Sequence, residues 1–266
     1  MHPTTPALGR RACLRALLGA AALAALPRAA RADAPARRVL LLGDSMIAGA
    51  LGLFLENGLR KVHGYEVRRF GKSSTGLARP DFFDWMKEAE RQIAAFPAPD
   101  AVVAMFGGND VQGLYMGKGQ WIRWNEEGWD QEYAARITRF ADIVAPEGRP
   151  LFWIGMPVMR PEKFHVRVQK VNTIARAEMA IRPGGRFVDI WRLLADEAGN
   201  YAERLALGEG PRPKKVRVRA GDGIHLSVAG ADLVQEHVRG VVVAHLDGGE
   251  GLLADAPASA DAPVTG

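Results

Sequence analysis

Short apolar runs bounded by turn residues recur along the chain, and longer amphipathic stretches separate them. Arg38–Gly43 (RVLLLG), Glu66–Phe70 (EVRRF), Ala101–Gly107 (AVVAMFG), Leu151–Gly155 (LFWIG) and Arg186–Ile190 (RFVDI) read as strands. Three of them are apolar nearly throughout, the pattern of strands buried on both faces of a parallel sheet. Helical periodicity covers Met46–Val62, Asp81–Ala94, Gln131–Val144, Glu162–Ile181 and Ser227–His245. The alternation of strand and helix predicts a right-handed, doubly wound α/β/α sandwich in three layers. Chemistry in such a sheet sits beyond the carboxyl ends of the strands, so a motif directly after a strand carries weight.

The two ends break this pattern. Residues 1–32 combine a charged start (Arg10-Arg11-Ala12-Cys13-Leu14-Arg15), an apolar run from Ala16 to Leu26, and the small-x-small site Ala30-Arg31-Ala32. That order predicts a cleavable export signal, too short to span a bilayer as an anchor. An Ala-rich first core helix is the alternative, and Pro27 would break it. The arginine pair resembles a twin-arginine signal, which implies export after folding. The expected location is therefore the periplasm or cell envelope. Residues 247–266 are rich in Gly, Ala, Asp and Pro, hold no aromatic residue, and read as a disordered tail. Residues 33–246 remain as one domain.

Charge changes its meaning once the ends are set aside. The chain has 35 Lys+Arg against 30 Asp+Glu, a net charge of +5. Five of those arginines (10, 11, 15, 28 and 31) lie in the first 32 residues, and the remainder is neutral. The basic balance belongs to the leader and gives no reason to expect nucleic acid as a partner. The single cysteine is Cys13, also in the leader, so the mature chain has neither disulfides nor thiolate chemistry.

Three blocks fall where chemistry is expected. Gly43-Asp44-Ser45-Met46 follows the first strand and opens a helix, where free amides and the helix dipole favour developing negative charge. Asp44 or Ser45 could equally be an N-cap there. Gly107-Gly108-Asn109-Asp110 follows the third strand; an Asn amide can donate to an oxyanion, although the same residues also make ordinary turns. In Asp222-Gly223-Ile224-His225 a carboxylate three residues before a histidine can bond one imidazole nitrogen, leaving the other to take a serine proton. The alternative is a capping loop with a surface histidine. Gly71-Lys72-Ser73 fails as a phosphate loop, because six residues rather than four separate it from Gly64. The G-x-S-x-G elbow is absent around Ser45, and no metal-ligand spacing occurs, so neither metal nor cofactor is expected.

Together with Gly76, these blocks resemble the SGNH/GDSL hydrolase superfamily in identity, order and spacing, from Val39 to His245. Ser74-Thr75-Gly76-Leu77-Ala78-Arg79-Pro80-Asp81 and the Asp84-Trp85 pair are similar to an exported bacterial subgroup, DUF459. The resemblance implies a parallel, five-stranded, flavodoxin-like sheet. It implies Ser45 as nucleophile and His225 as general base, oriented by Asp222. It also implies an oxyanion hole of the Ser45 amide, the Gly76 amide and the Asn109 side chain, with Gly71 close enough to compete with Gly76. Met46 replaces the family's usual Leu, and Asp110 reads as a loop brace.

The expected activity is that of an exported serine esterase working through an acyl-enzyme on Ser45. The substrate is a small-molecule or glycan ester, with O-acetyl on a cell-envelope carbohydrate preferred. An O-acyltransferase using the same triad and a catalytically silent glycan-binding protein are the alternatives. Val111 to Asp130 reads as a long loop carrying Trp121, Trp124 and Trp129; Trp121 and Trp124 are candidates to stack on sugar, whereas Trp129 reads as packing on the core. Arg79 and Arg160 are further substrate-binding candidates. The basic run Arg212, Lys214, Lys215, Arg217 and Arg219 could steer an anionic glycan or form a solvated hairpin face.

Overall fold

The computed structural model describes residues 35–208 and 214–248. The export signal expected at 1–32, the tail beyond Gly248 and Arg212 of the basic run lie outside the described residues.

The chain opens with strand β1 (Arg38–Gly43), whose Val39 to Leu42 are completely buried. A four-residue helix α1 (Ser45–Ala48) and helix α2 (Ala50–His63) follow. The periodicity predicts one helix here. Gly49 instead takes an extended conformation and divides it, and the second segment lies so close that a Cβ on Gly52 would meet the Ile47 backbone. Strand β2 (Glu66–Gly71), helix α3 (Trp85–Ala95) and strand β3 (Ala101–Met105) come next. Helix α3 starts four residues later than its periodicity suggests, because the Asp84 carboxylate accepts from the Met86 and Lys87 amides and caps it there.

A hairpin of β4 (Leu114–Gly117) and β5 (Gln120–Ile122) occupies the segment expected as an open loop. Helix α4 (Trp129–Val144), strand β6 (Leu151–Ile154), helix α5 (Glu162–Ile181) and strand β7 (Gly185–Val188) complete the alternation. A second hairpin, β8 (Arg204–Leu207) with β9 (Lys214–Arg217), precedes the last helix α6 (Val228–Leu246).

The main sheet has the order β2-β1-β3-β6-β7, and every pairing in it is parallel. Counting only its own strands this is 2-1-3-4-5, the flavodoxin-like order. Helix α2 packs on α6, while α4 packs between α3 and α5, as in a doubly wound sheet. The core is densely aromatic: the Phe106 ring meets Trp85 at 4.7 Å, Phe140 at 5.1 Å and Trp153 at 5.6 Å.

Register then places the site. Gly43 pairs with Gly71 on one side and Met105 on the other, so β1, β2 and β3 end level. The segments that leave these three ends carry Ser45, Gly76 and Asn109. Among the described residues, no helix is long and apolar enough to cross a membrane.

Candidate active site

The β1 exit is held tightly. A Cβ on Gly43 would lie 2.6 Å from Ile47 Cγ1, so only glycine lets the chain turn straight from strand into α1. The Asp44 amide donates to the Met105 carbonyl, and Asp44 Oδ1 accepts from the Met46 amide at 2.9 Å, capping the helix on which Ser45 is first. Both uses left open for this block are thus occupied: Asp44 is the cap, and Ser45 faces elsewhere.

Ser45 Oγ lies 2.9 Å from His225 Nε2, and His225 Nδ1 lies 2.6 Å from Asp222 Oδ2. The second oxygen, Asp222 Oδ1, accepts from the Ile224 amide at 2.8 Å and the His225 amide at 2.9 Å. One carboxylate therefore orients both the imidazole and the backbone that carries it. Burial raises the Asp222 proton affinity, but the bonds from His225 and from the two amides outweigh it and bring its pKa to about 2. Gly223 makes this turn possible. Its φ is +72°, and a Cβ there would meet the Arg160 side chain at 2.5 Å.

The Gly76 segment is pinned from three directions. Thr75 is buried; its hydroxyl donates to the Lys72 carbonyl and accepts from Trp85 Nε1 at 3.0 Å. Asn109 Nδ2 donates to the Thr75 carbonyl at 2.8 Å, which brings the Asn109 amide beside Gly76. Asp110, fully buried, accepts from the Ala78 amide at 2.7 Å and from the Tyr133 hydroxyl at 3.0 Å. Arg136 donates to the Leu77 carbonyl at 2.9 Å, the Ala78 carbonyl at 3.0 Å and the Tyr115 carbonyl at 2.6 Å, and pairs with Glu132. Gly76 packs onto this brace: a Cβ would sit 2.8 Å from Asp110 Cγ. Gly71 has a different place. It closes β2, and a Cβ on it would lie 2.6 Å from Ala48 Cα, so it serves the close approach of sheet and helix.

Two carboxyl groups lie buried behind the site. Burial raises Asp44 to a pKa of about 7, with the nearby Asp110 adding to the rise, while bonds from Met46 and Asn109 oppose it. Burial likewise raises Asp110 to about 6, against the pull of the Ala78 amide, Tyr133 and Arg136.

The substrate-binding candidates have separate surroundings. Arg160 Nη2 donates to the Gly221 carbonyl at 2.7 Å, directly against the Asp222 turn. Arg79 is held in a two-pronged pair with Asp81, at 2.8 and 2.7 Å, and lies over the Trp121 ring. Trp121 is 42% exposed, and Tyr115 meets its ring edge-on at 5.2 Å. Trp124 is half-buried and packs edge-on against Trp129 at 4.3 Å, with Arg167 and Lys170 over its ring. Trp129 is fully buried, packed as its core reading expects. In the basic run, Lys214 and Lys215 are exposed and Arg217 pairs with Glu203, but Arg219 departs from both surface readings, since it is completely buried.

Sequence reasoning passed over Arg136 and Tyr133 and gave no bracing role to Thr75 or Arg219; all four support the site without belonging to a catalytic pattern. Among the described residues, no cluster of His, Cys, Asp or Glu could hold a metal ion.

No curated protein matches the chain. Among solved structures, the fold is similar to that of a carbohydrate acetylesterase family member from Sinorhizobium meliloti, at 17% identity and a TM-score of 0.56, covering 79% of this chain and 99% of that one. LAE5, an alpha/beta hydrolase enzyme from the metagenome of Lake Arreo, Spain, is similar at 16% identity and a TM-score of 0.54, over 77% and 94% of the two chains. The M. smegmatis aryl esterase matches at 15% identity and a TM-score of 0.52, over 78% and 98%. A family model described as a protein of unknown function, DUF459, matches residues 38–240, from the first strand of the sheet into its last helix. The chain thus belongs to the DUF459 family.

Proposed function

We propose that the chain is an exported serine esterase that cleaves small acyl groups, acetyl first among them, from a carbohydrate of the cell envelope. The observation that carries the reading is the unbroken chain of hydrogen bonds from Ser45 Oγ through His225 to Asp222. A serine bonded to a neutral imidazole, itself oriented by a carboxylate, is poised to lose its proton as it attacks a carbonyl.

In this mechanism His225 Nε2 takes the Ser45 proton while Oγ bonds to the ester carbon. The carbonyl oxygen becomes an oxyanion facing the Ser45 amide, the Gly76 amide and the Asn109 side chain. Thr75 takes one Asn109 N–H, leaving the other for the oxyanion. Asp44 is the competing acceptor in the resting site, and burial raises its pKa, which favours the neutral form and weakens it as an acceptor. His225 then gives its proton to the departing alcohol, leaving an acyl-enzyme on Ser45. Water, activated by the same imidazole, attacks the acyl carbon and frees the serine. Support for an ester substrate comes from the structural neighbours, which are a carbohydrate acetylesterase and an aryl esterase. Export and the periplasmic location rest on the leader sequence.

The test compares chromophore release from an aryl acetate by the wild-type chain and by Ser45→Ala. Turnover by the wild type alone supports the reading. Equal turnover by both, or none by well-folded wild type, refutes it and favours an acyltransferase or a silent glycan binder.

A further inference from the structure

Arg219 presents a physical problem. Its side chain is completely buried, and no carboxylate is among its hydrogen-bond partners in the described residues. A guanidinium cannot shed its charge to suit such a place, and burying an unpaired charge is costly. Burial indeed lowers its pKa to about 10. What the cation has instead is carbonyl oxygens. Nη1 donates to the Val158 carbonyl, and Nη2 donates to the Ile224 carbonyl at 2.8 Å and to the Gly223 carbonyl at 3.3 Å. Met159 Sδ lies 3.3 Å from Nη2, the Tyr201 ring lies 5.2 Å away, and Nε has no partner.

The positions of those carbonyls give the charge its use. Gly223 and Ile224 are the two residues between Asp222 and His225. Val158 belongs to the segment that leaves β6, 61 residues away along the chain. Arg219 therefore joins the turn carrying the acid and the base to the rim of the sheet, from inside the fold. From the outer side the Arg160 amide donates to the same Gly223 carbonyl at 3.1 Å, and Arg160 Nη2 holds Gly221. The Ala220 amide donates to the His225 carbonyl, closing the turn on the segment after β9 that carries Arg219.

We propose that Arg219 is a positioning residue for the Asp222–His225 pair, clamping their turn to the segment after β6 so that His225 Nε2 stays on Ser45 Oγ. The inference rests on the esterase reading of the triad. Arginine suits the task because its planar fork sends donors in several fixed directions from one buried stem, and charged donors hold carbonyls more firmly than neutral ones. A lysine ammonium is a point donor and does not span Val158 and Ile224 in the same geometry.

The test uses Arg219→Lys and Arg219→Met in the full chain, with two readouts. The first is kcat and KM for an aryl acetate. The second is the far-downfield proton resonance of His225 Nδ1 in its short bond to Asp222. For Arg219→Lys, folded by circular dichroism, kcat falls roughly 100-fold with KM little changed, and the resonance shifts or broadens. Arg219→Met loses more. If the methionine variant does not fold, the lysine variant decides. A folded variant with wild-type kcat and an unchanged resonance overturns the proposal, as does a loss of kcat that only follows the loss of folded protein. Absence of turnover in the wild type would refute the esterase reading instead, and the resonance would still test the clamp.

Discussion

Gly76→Ala perturbs the site at its tightest point. The added methyl would meet Asp110 Oδ1 first, and would lie 2.8 Å from Cγ and 2.9 Å from Oδ2, whereas ordinary contact begins at 3.4 Å. Relieving the Cγ contact alone takes about 0.6 Å and the Oδ1 contact takes more, and neither the loop nor the carboxylate yields freely. Asp110 is fully buried and holds the Ala78 amide at 2.7 Å and the Tyr133 hydroxyl at 3.0 Å. Hydrogen bonds to a charged group contribute about 1.5–3 kcal/mol each, so losing one of these costs stability of that order. If the loop moves instead, the Gly76 amide leaves the oxyanion, and loss of one such donor lowers kcat about 10²–10³-fold. Thermal unfolding and aryl acetate kinetics on the same sample measure both. The expected result is a lower Tm, a fall in kcat of at least that lower bound, and a nearly unchanged KM. A variant with wild-type Tm and wild-type kcat would refute the packing and the oxyanion role of Gly76 together.

Other expectations follow from the same geometry. Asp222→Asn would place a donor against His225 Nδ1 and favour the wrong tautomer, so kcat falls roughly 10⁴-fold while circular dichroism is unchanged; activity close to wild type would show that Asp222 does not orient the base. Asp110 has a folded pKa near 6 against an ordinary 3.8, so its contribution is fully present below pH 4 and is lost as pH rises through 6, about 3 kcal/mol in all. Asp110→Asn therefore gains on the wild type by about that amount between pH 4 and pH 8 in urea unfolding, and parallel pH profiles would contradict the buried charge. Trp129→Ala removes a fully buried ring stacked on Tyr133 and costs about 3–5 kcal/mol in the same assay. Trp121→Ala costs little stability but raises KM for acetylated oligosaccharides and not for aryl acetates; equal KM changes for both would remove Trp121 from substrate recognition.

Much of this architecture is written in local pattern. Leu40 to Leu42 and Ala101 to Met105 are apolar throughout because helices cover both faces of the sheet, and such runs are visible without tertiary knowledge. Their ends coincide with the Ser45 and Asn109 blocks, so the carboxyl-edge rule brings those residues together before any coordinate is known. The hairpins are harder to see. β4 and β5 are short, and the signal that marks their turn is small: Lys118 and Gly119 both take positive φ, as a tight two-residue turn requires. The buried supports are less visible still. Arg219 stands in a basic run beside exposed Lys214 and Lys215, and it is the Asp222 turn, together with Val158, Met159 and Tyr201, that encloses it in the fold. Arg136 and Tyr133 lie on an ordinary amphipathic helix, and the Arg136 partners Leu77 and Ala78, 59 and 58 residues away, are fixed only by the sheet.

Whether Ser45 forms a covalent intermediate is the most direct test of the account. The wild type, Ser45→Ala and Asp222→Asn are treated with a fluorophosphonate, and the adduct is located by peptide mass mapping. The account predicts a single adduct on Ser45 in the wild type, none in Ser45→Ala, and much slower labelling in Asp222→Asn. Ester turnover by the wild type without label on Ser45, or with label on another residue, would contradict it.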